Sequence, residues 1–450
     1  MLAELSAAVR EGRVHPTDLV AEALRRIEAL DGPIRSVVAL RAEQALADAT
    51  RSTREGPLAG IPFLVKDLAD CAGLPTTYGS KLYADAPPAA ADGVQAARLR
   101  AAGGIPVGKS NTPEFGWIGY TANPVFGATH NPWNLERSPG GSSGGSSAAL
   151  AAALVPVATA SDGGGSVRIP ASLCGLVGYK PTIGGIARDG SPRWMDFSTS
   201  GVMGHTVADV VTEAEVLLGP ADGDVLAVPQ GAIALAPTRP RRVLLCRTLR
   251  DAVDPVIEAA LLDAVSTIEQ LGIVVEEIDN PIPDAVQTWF LSSVPELAQS
   301  LSHLRDRWDE LDPGLCAMLQ FAESISRDDY ITARRGRYTA CATIDRLLGS
   351  DTVLVSPVHN AQSWPAAGPW PMSVNGIDTP GVAVNTNDFN VTGHGAASVP
   401  IGRDDAGVPF GMQVVAPRWR YGLALGVAAA LEEARPWPLV AAGYEPFPVP

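Results

Sequence analysis

Hydroxyls, glycines and one misplaced lysine are the chemistry this sequence offers. From Ser138 to Pro170 it reads SPGGSSGGSSAALAAALVPVATASDGGGSVRIP, two glycine–serine loops either side of a run of small apolar residues. Glycine lets a substrate approach the main chain closely, and a glycine-dense loop entering an Ala-rich helix aims free N–H groups at whatever precedes it. Such loops suit an anion or a developing oxyanion. The familiar alternatives fail. There is no GxSxG elbow, no HExxH or Cys/His pairing for a metal, no phosphate-binding GxxxxGK[ST], and the six histidines share no motif. A serine without a histidine needs another base, and a neutral lysine can serve. A free lysine has a pKa of ~10.4, so work near neutrality requires a drop of roughly three units, ~4 kcal/mol against its charged form, a penalty that burial can impose.

Lys66 sits where that penalty is available, at the end of the apolar run LAGIPFLVK. Most lysines at strand ends snorkel into water; this one follows a stretch that reads as covered on both faces. Asp67 should then point to the opposite side. Ser166 follows Gly163, Gly164 and Gly165, whose N–H groups can converge on a carbonyl oxygen as it gains charge; such a donor is commonly worth ~3–4 kcal/mol. Ser142 and Ser143 follow Gly140–Gly141 at the head of the Ala-rich helix. Glycine–serine loops are often linkers, but linkers do not alternate with tightly apolar segments.

The elements that must hold these residues alternate. Helical spacing runs from Leu2 to about Leu30, broken at Gly12 and Pro16, with Thr17 as candidate cap of the second helix. A third helix is expected from about Arg35 to Thr50. GIPFLV, a helix over 92–103 and IPVGKSN repeat a strand–helix–strand logic. RRVLLC, a helix about Pro255–Leu271 and IVVEEID make another. The periodicity from Val286 to Leu348 is helical, DTVLVSP and GMQVV return to strand, and a helix from Leu423 to Glu433 closes the chain. Nothing reads as a repeat or linker, so one α/β domain around a mixed, covered sheet is expected. Aromatic loops at 113–133 could line a pocket, and the Trp- and Pro-rich loop at 364–371 hints at a lid.

Composition excludes more than it selects. The chain has 450 residues, 46% hydrophobic and 18% charged, with a formal net charge of −15. That balance repels nucleic acid. No apolar run is long enough to cross a bilayer, and the first residues lack the pattern of a signal peptide. Five scattered cysteines without CxxC spacing fit reduced thiols and a cytoplasmic location.

Taken together, GIPFLVKD (60–67), GKSNTPEFG (108–116), NPWN…SPGGSSGGSSAA (131–149) and SDGGGSVRIPASLCGLVGYKP (161–181) resemble the amidase signature family of serine hydrolases. GVMGHTVAD (201–209), FNVTGHGAASVPIG (389–402) and GVPFGMQVV (407–415) match it more thinly. The resemblance implies a single domain over 1–450, with a central mixed β-sheet covered by helices on both faces. Its signature core falls at 55–210, a variable and mostly helical substrate-side region at 215–350, and the return to the core sheet at 351–450. It implies that Ser166 is the acylated nucleophile, Ser142 a bridging serine after a cis Gly141–Ser142 peptide, and Lys66 the base. Gly163, Gly164 and Gly165 form the oxyanion hole; Ser143, Asp162 and Arg168 support the loop; Trp117 contacts substrate.

Three departures qualify the match. Gly163 stands where Thr or Ile is common, implying a looser oxyanion pocket. His205 replaces a common arginine, and His394–Gly395 replace Gln–Pro, which bears on substrate contacts. The implied reaction is hydrolysis of a small aryl or alkyl carboxamide to carboxylate and amine or ammonia, without metal or cofactor. Its partner is the amide alone, with neither nucleic acid nor membrane, and a homodimer stays open. Alternative readings are the glutaminase component of a tRNA-dependent amidotransferase, a cyclic-oligoamide or lactam hydrolase, and a binding protein that has lost turnover.

Overall fold

Apolar runs without alternation make strands covered on both sides. Pro62–Lys66 is such a strand, buried at every position in the computed structural model of the chain, which describes residues 1–190, 193–229, 231, 233–378 and 384–448. It lies parallel to Ile105–Ser110 and to Val157–Ala158, and helix Val94–Ala101 precedes the first of these partners as the strand–helix–strand pattern predicts. Val37–Leu40 completes this four-stranded sheet, antiparallel to Ile105–Ser110.

A second, eight-stranded sheet is mixed. Its order is Val274–Glu277, Arg242–Leu245, Thr352–Pro357, Pro409–Val415, Ala396–Arg403, Val177–Lys180, Thr199–Gly204, Ala160–Asp162. The first three strands are parallel and the other pairings antiparallel. Helices cover both faces. On the strand Thr199–Gly204, Gly201 meets Val167 while Gly204 meets Asp209 and Val210, and an odd spacing puts these contacts on opposite sides. The six residues Val157–Asp162 pass from one sheet to the other.

Between 285 and 348 the expected helicity resolves into Ala285–Ser300, Pro313–Ala322 and Arg327–Leu348, with a 3-10 stretch at Ser302–Glu310. Leu297, Leu301, Leu315 and Leu319 form their own apolar cluster with Phe115 and Trp308. The region 215–350 is thus mostly helical but also gives the main sheet two strands, Arg242–Leu245 and Val274–Glu277.

Two local expectations are corrected. No helix starts at Arg35: that residue takes the left-handed conformation (φ 58°) that ends Pro16–Ile34, and VVAL pairs as a strand before helix Ala42–Thr50 begins. Thr17 is not the cap of the second helix. His15 is, accepting from Thr17 N–H while Asp18 reaches back to the His15 N–H, a reciprocal arrangement that satisfies two otherwise unpaired donors.

Candidate active site

The strand Pro62–Lys66 delivers its last side chain into the ground between the two glycine–serine loops. Lys66 is 2% exposed. Its Nζ lies 2.8 Å from Ser142 Oγ, 2.8 Å from Ser143 Oγ and 3.2 Å from Ser161 Oγ. Burial pushes its pKa down to about 7, with the Asp162 charge pulling the other way. Asp67 goes to the opposite side, as strand alternation predicts, and pairs with the buried Lys109 at 2.9 Å.

The hydroxyls around Nζ differ in what they can give. Ser143 is the N-cap residue of helix Gly144–Ala151 but makes no capping bond; it donates to Ser161 O (3.3 Å) and so accepts from Lys66. Ser142 Oγ has no bond among the described residues other than that to Lys66. Lys66 donates in that contact; in its neutral form Nζ also has a lone pair that can accept the Ser142 proton. The Gly141–Ser142 peptide is cis.

The second loop is held from below by a buried ion pair. Asp162 and Arg168 are both fully buried and joined twice, Nε to Oδ2 at 2.9 Å and Nη2 to Oδ1 at 2.8 Å. Arg168 also donates to Thr386 O, Gln413 Oε1 and Asn390 Oδ1, while Asn390 Nδ2 returns a bond to Asp162. Burial pushes the Asp162 carboxyl up, but Arg168, Lys180 and Asn390 outweigh it and hold it at about 2. Every partner a buried ion pair requires is present.

Above this post sit the three glycines. Gly165 departs from expectation. Its N–H donates to Asp162 Oδ1 at 2.8 Å, as Val167 N–H does to Oδ2 at 3.2 Å, so it is already occupied. No described residue accepts from the N–H groups of Gly163, Gly164 and Ser166, and these are the free donors. Gly165 must be glycine for another reason, its φ of +134°. Nor is the pocket looser at Gly163: a Cβ there would lie 2.8 Å from the Trp194 ring, which fills the space a larger residue would take.

Ser166 Oγ makes no hydrogen bond among the described residues, and Ser166 faces a cavity of about 940 Å³. The structure thus joins Lys66, Ser142 and Ser143 directly, and leaves Ser166 without a bond to Ser142. Trp117 lines the cavity as expected. So do Trp289 and Phe290 from helix Ala285–Ser300, and Met318 and Phe321 from helix Pro313–Ala322. No charged side chain lines it among the described residues. In the loop expected as a lid, Trp370 lines the cavity while Trp364, tilted against it with ring centroids 4.9 Å apart, is core.

Several of these residues escaped sequence reasoning. Trp289 donates to Gly163 O at 2.8 Å and Thr386 to Gly164 O at 2.7 Å; both reach the loop from far along the chain and carry no local motif. Other departures lie outside the site. His205 bonds Leu150 O at 2.9 Å beneath the Ala-rich helix. His394 lies 3.2 Å from Asp345. Cys341, Asp345 and His394 bring metal-ligating atoms within 4.8 Å of one another, yet Arg418 already occupies both oxygens of Asp345.

Comparison with known proteins gives the family. The amidase family profile matches residues 18–423. The chain is 34% identical to an acylamidase of Rhodococcus erythropolis, covering 96% of this chain and 95% of that protein. It is 33% identical to a 6-aminohexanoate-cyclic-dimer hydrolase of Paenarthrobacter ureafaciens, covering 95% of this chain and 93% of that protein. Among solved structures, a bacterial aryl acylamidase of the amidase signature family superposes with a TM-score of 0.90 at 27% identity, covering 97% of this chain and 96% of that one. With its fold, its loops and its relatives in agreement, the chain belongs to the amidase family.

Proposed function

We propose that this amidase hydrolyses uncharged aryl or alkyl carboxamides through an ester on Ser166. The observation that carries the reading is the Lys66 nitrogen, buried, held near pKa 7 and 2.8 Å from a serine hydroxyl with no other acceptor. Ser166 Oγ attacks the amide carbon while its proton passes to Ser142 Oγ and the Ser142 proton to neutral Lys66 Nζ. The carbonyl oxygen becomes an oxyanion, met by the free N–H groups of Gly163, Gly164 and Ser166. The relay then runs backwards: Lys66 returns a proton through Ser142 to the amine, the C–N bond breaks, and the acyl group stays on Ser166. Water repeats the cycle, releasing carboxylate. Catalytic hydrogen bonds often tighten only with substrate in place, and here Ser166 Oγ must rotate toward Ser142.

The cavity supports a neutral, apolar substrate of some bulk. Its volume lies in the range of sites that enclose drug-sized ligands. Glutamine would bring an ammonium and a carboxylate against a described wall with no counter-charge, and burying unpaired charge is costly. This favours an acylamidase over the glutaminase reading. Five free cysteines favour a reducing compartment such as the cytoplasm.

The test is release of acid and of amine or ammonia from anilides, aliphatic amides and glutamine, with Ser166→Ala and Lys66→Ala alongside. Loss of turnover in both variants is expected. Full activity in either would end the proposal, and exclusive use of glutamine would reverse the choice of substrate.

A further inference from the structure

The three glycines are each pressed by a side chain from outside the motif, and two of those side chains also bond the loop. A Cβ on Gly164 would lie 2.9 Å from Trp289, and one on Gly165 would crowd against Thr386 Oγ1. Trp289 Nε1–H donates to Gly163 O at 2.8 Å, and Thr386 Oγ1–H to Gly164 O at 2.7 Å. In a planar trans peptide the C=O and the following N–H point in opposite directions. Fixing the Gly163 carbonyl therefore fixes the direction of the Gly164 N–H, and fixing the Gly164 carbonyl fixes that of the Gly165 N–H. The second of these lands on Asp162. The first is left free beside the cavity.

From this, and resting on the reading of Ser166 as nucleophile, we infer that Trp289 is a positioning residue. Its indole N–H holds the Gly163–Gly164 peptide so that the Gly164 N–H is presented to the oxyanion, and its ring at the same time forms part of the cavity wall. The helix Ala285–Ser300 thereby ties two properties that are usually separate. What fills the apolar cavity leans on the same indole that sets an oxyanion donor. A bulky group that packs against Trp289 holds that donor in place, whereas a short acyl chain leaves it less constrained. Turnover, and not only affinity, rises with the fit of the substrate. The donor itself is never removed by changing Trp289, only its orientation.

The decisive variant is Trp289→Phe, which keeps an aromatic wall and loses the N–H. Loss of one such hydrogen bond commonly amounts to roughly a tenfold change. The expected result is a fall in kcat of roughly tenfold for a bulky anilide, with KM changed by less than about twofold and the melting temperature retained. A trifluoromethyl ketone, whose carbon bonds Ser166 Oγ and whose oxygen becomes an anion, should bind more weakly by the same factor. The corresponding methyl ketone, which stays trigonal, should bind as before. Phe290→Leu, a neighbouring wall residue without a bond to the loop, should instead raise KM. Unchanged kcat in Trp289→Phe, or equal losses for both ketones, would overturn the assignment. Wild-type protein that cleaves no amide and takes no fluorophosphonate label on Ser166 would overturn the functional reading itself. An active wild type beside a fully active Trp289→Phe variant would overturn only the role of Trp289.

Discussion

Lowering the pH below 7 should switch this enzyme off by charging Lys66. Burial takes Lys66 from an ordinary 10.5 to about 7, a penalty on its charged form of about 5 kcal/mol. The proposed relay needs the neutral amine, and kcat/KM follows the free enzyme. Activity should therefore rise tenfold per pH unit on the acid side and level off above about 7, lying roughly a hundredfold under its plateau at pH 5. The assay is hydrolysis of an anilide that does not itself titrate between pH 5 and 10, so that the profile reports the protein alone. Lys66→Arg serves as control, since a guanidinium stays charged throughout and cannot take the proton; no pH should restore it. A profile that keeps climbing to pH 10 would mean that Lys66 is charged near neutrality. A profile flat down to pH 5 would mean that it is not the base. Either result refutes the reasoning.

The other predictions concern the relay and the loop. Ser142→Ala should lower kcat by roughly a hundred- to ten-thousandfold with little change in KM, the usual worth of a positioned proton carrier, measured by steady-state kinetics on the same anilide. Gly163→Thr should be poorly tolerated because its Cβ would lie 2.8 Å from Trp194, and adding Trp194→Ala should recover activity; failure of the double variant would show that Trp194 is not the obstacle. Arg168→Met leaves Asp162 buried without its partner and should cost about 3–5 kcal/mol of stability, read from denaturant unfolding.

Much of the site is legible in the sequence because its residues break local rules. A lysine at the end of PFLVK contradicts the burial of its own strand, and glycine–serine loops with the composition of a linker stand on either side of a tightly apolar run, where no linker belongs. Those conflicts lie within a few residues and can be seen in one dimension. The strands Arg242–Leu245 and Thr352–Pro357 are equally plain, since apolar runs are what covered parallel strands require, whereas Val274–Glu277 is an exposed edge strand, legible from the strand–helix–strand order around it. Trp289, Thr386 and Asn390 cannot be found in that way. Each meets the Asp162–Ser166 loop across more than a hundred residues, and nothing in its own neighbourhood is out of place. Gly163 misleads for a related reason: a missing side chain looks like empty space until Trp194 is seen to occupy it. Val37–Leu40 reads as helix because its Ala-rich surroundings are helical, and only pairing with Ile105–Ser110 makes it a strand.

The short crossing at Val157–Asp162 has a mechanical meaning. It is stitched at one end to the strand that carries Lys66 and ends in the carboxylate that anchors the Ser166 loop. The proposed base and nucleophile are thus mounted on different plates riveted together by six residues. The plates cannot slide past each other without throwing the proposed proton path out of line, whereas a chamber wall with no bond to the loop, such as Phe290, can be recut without touching the rivet.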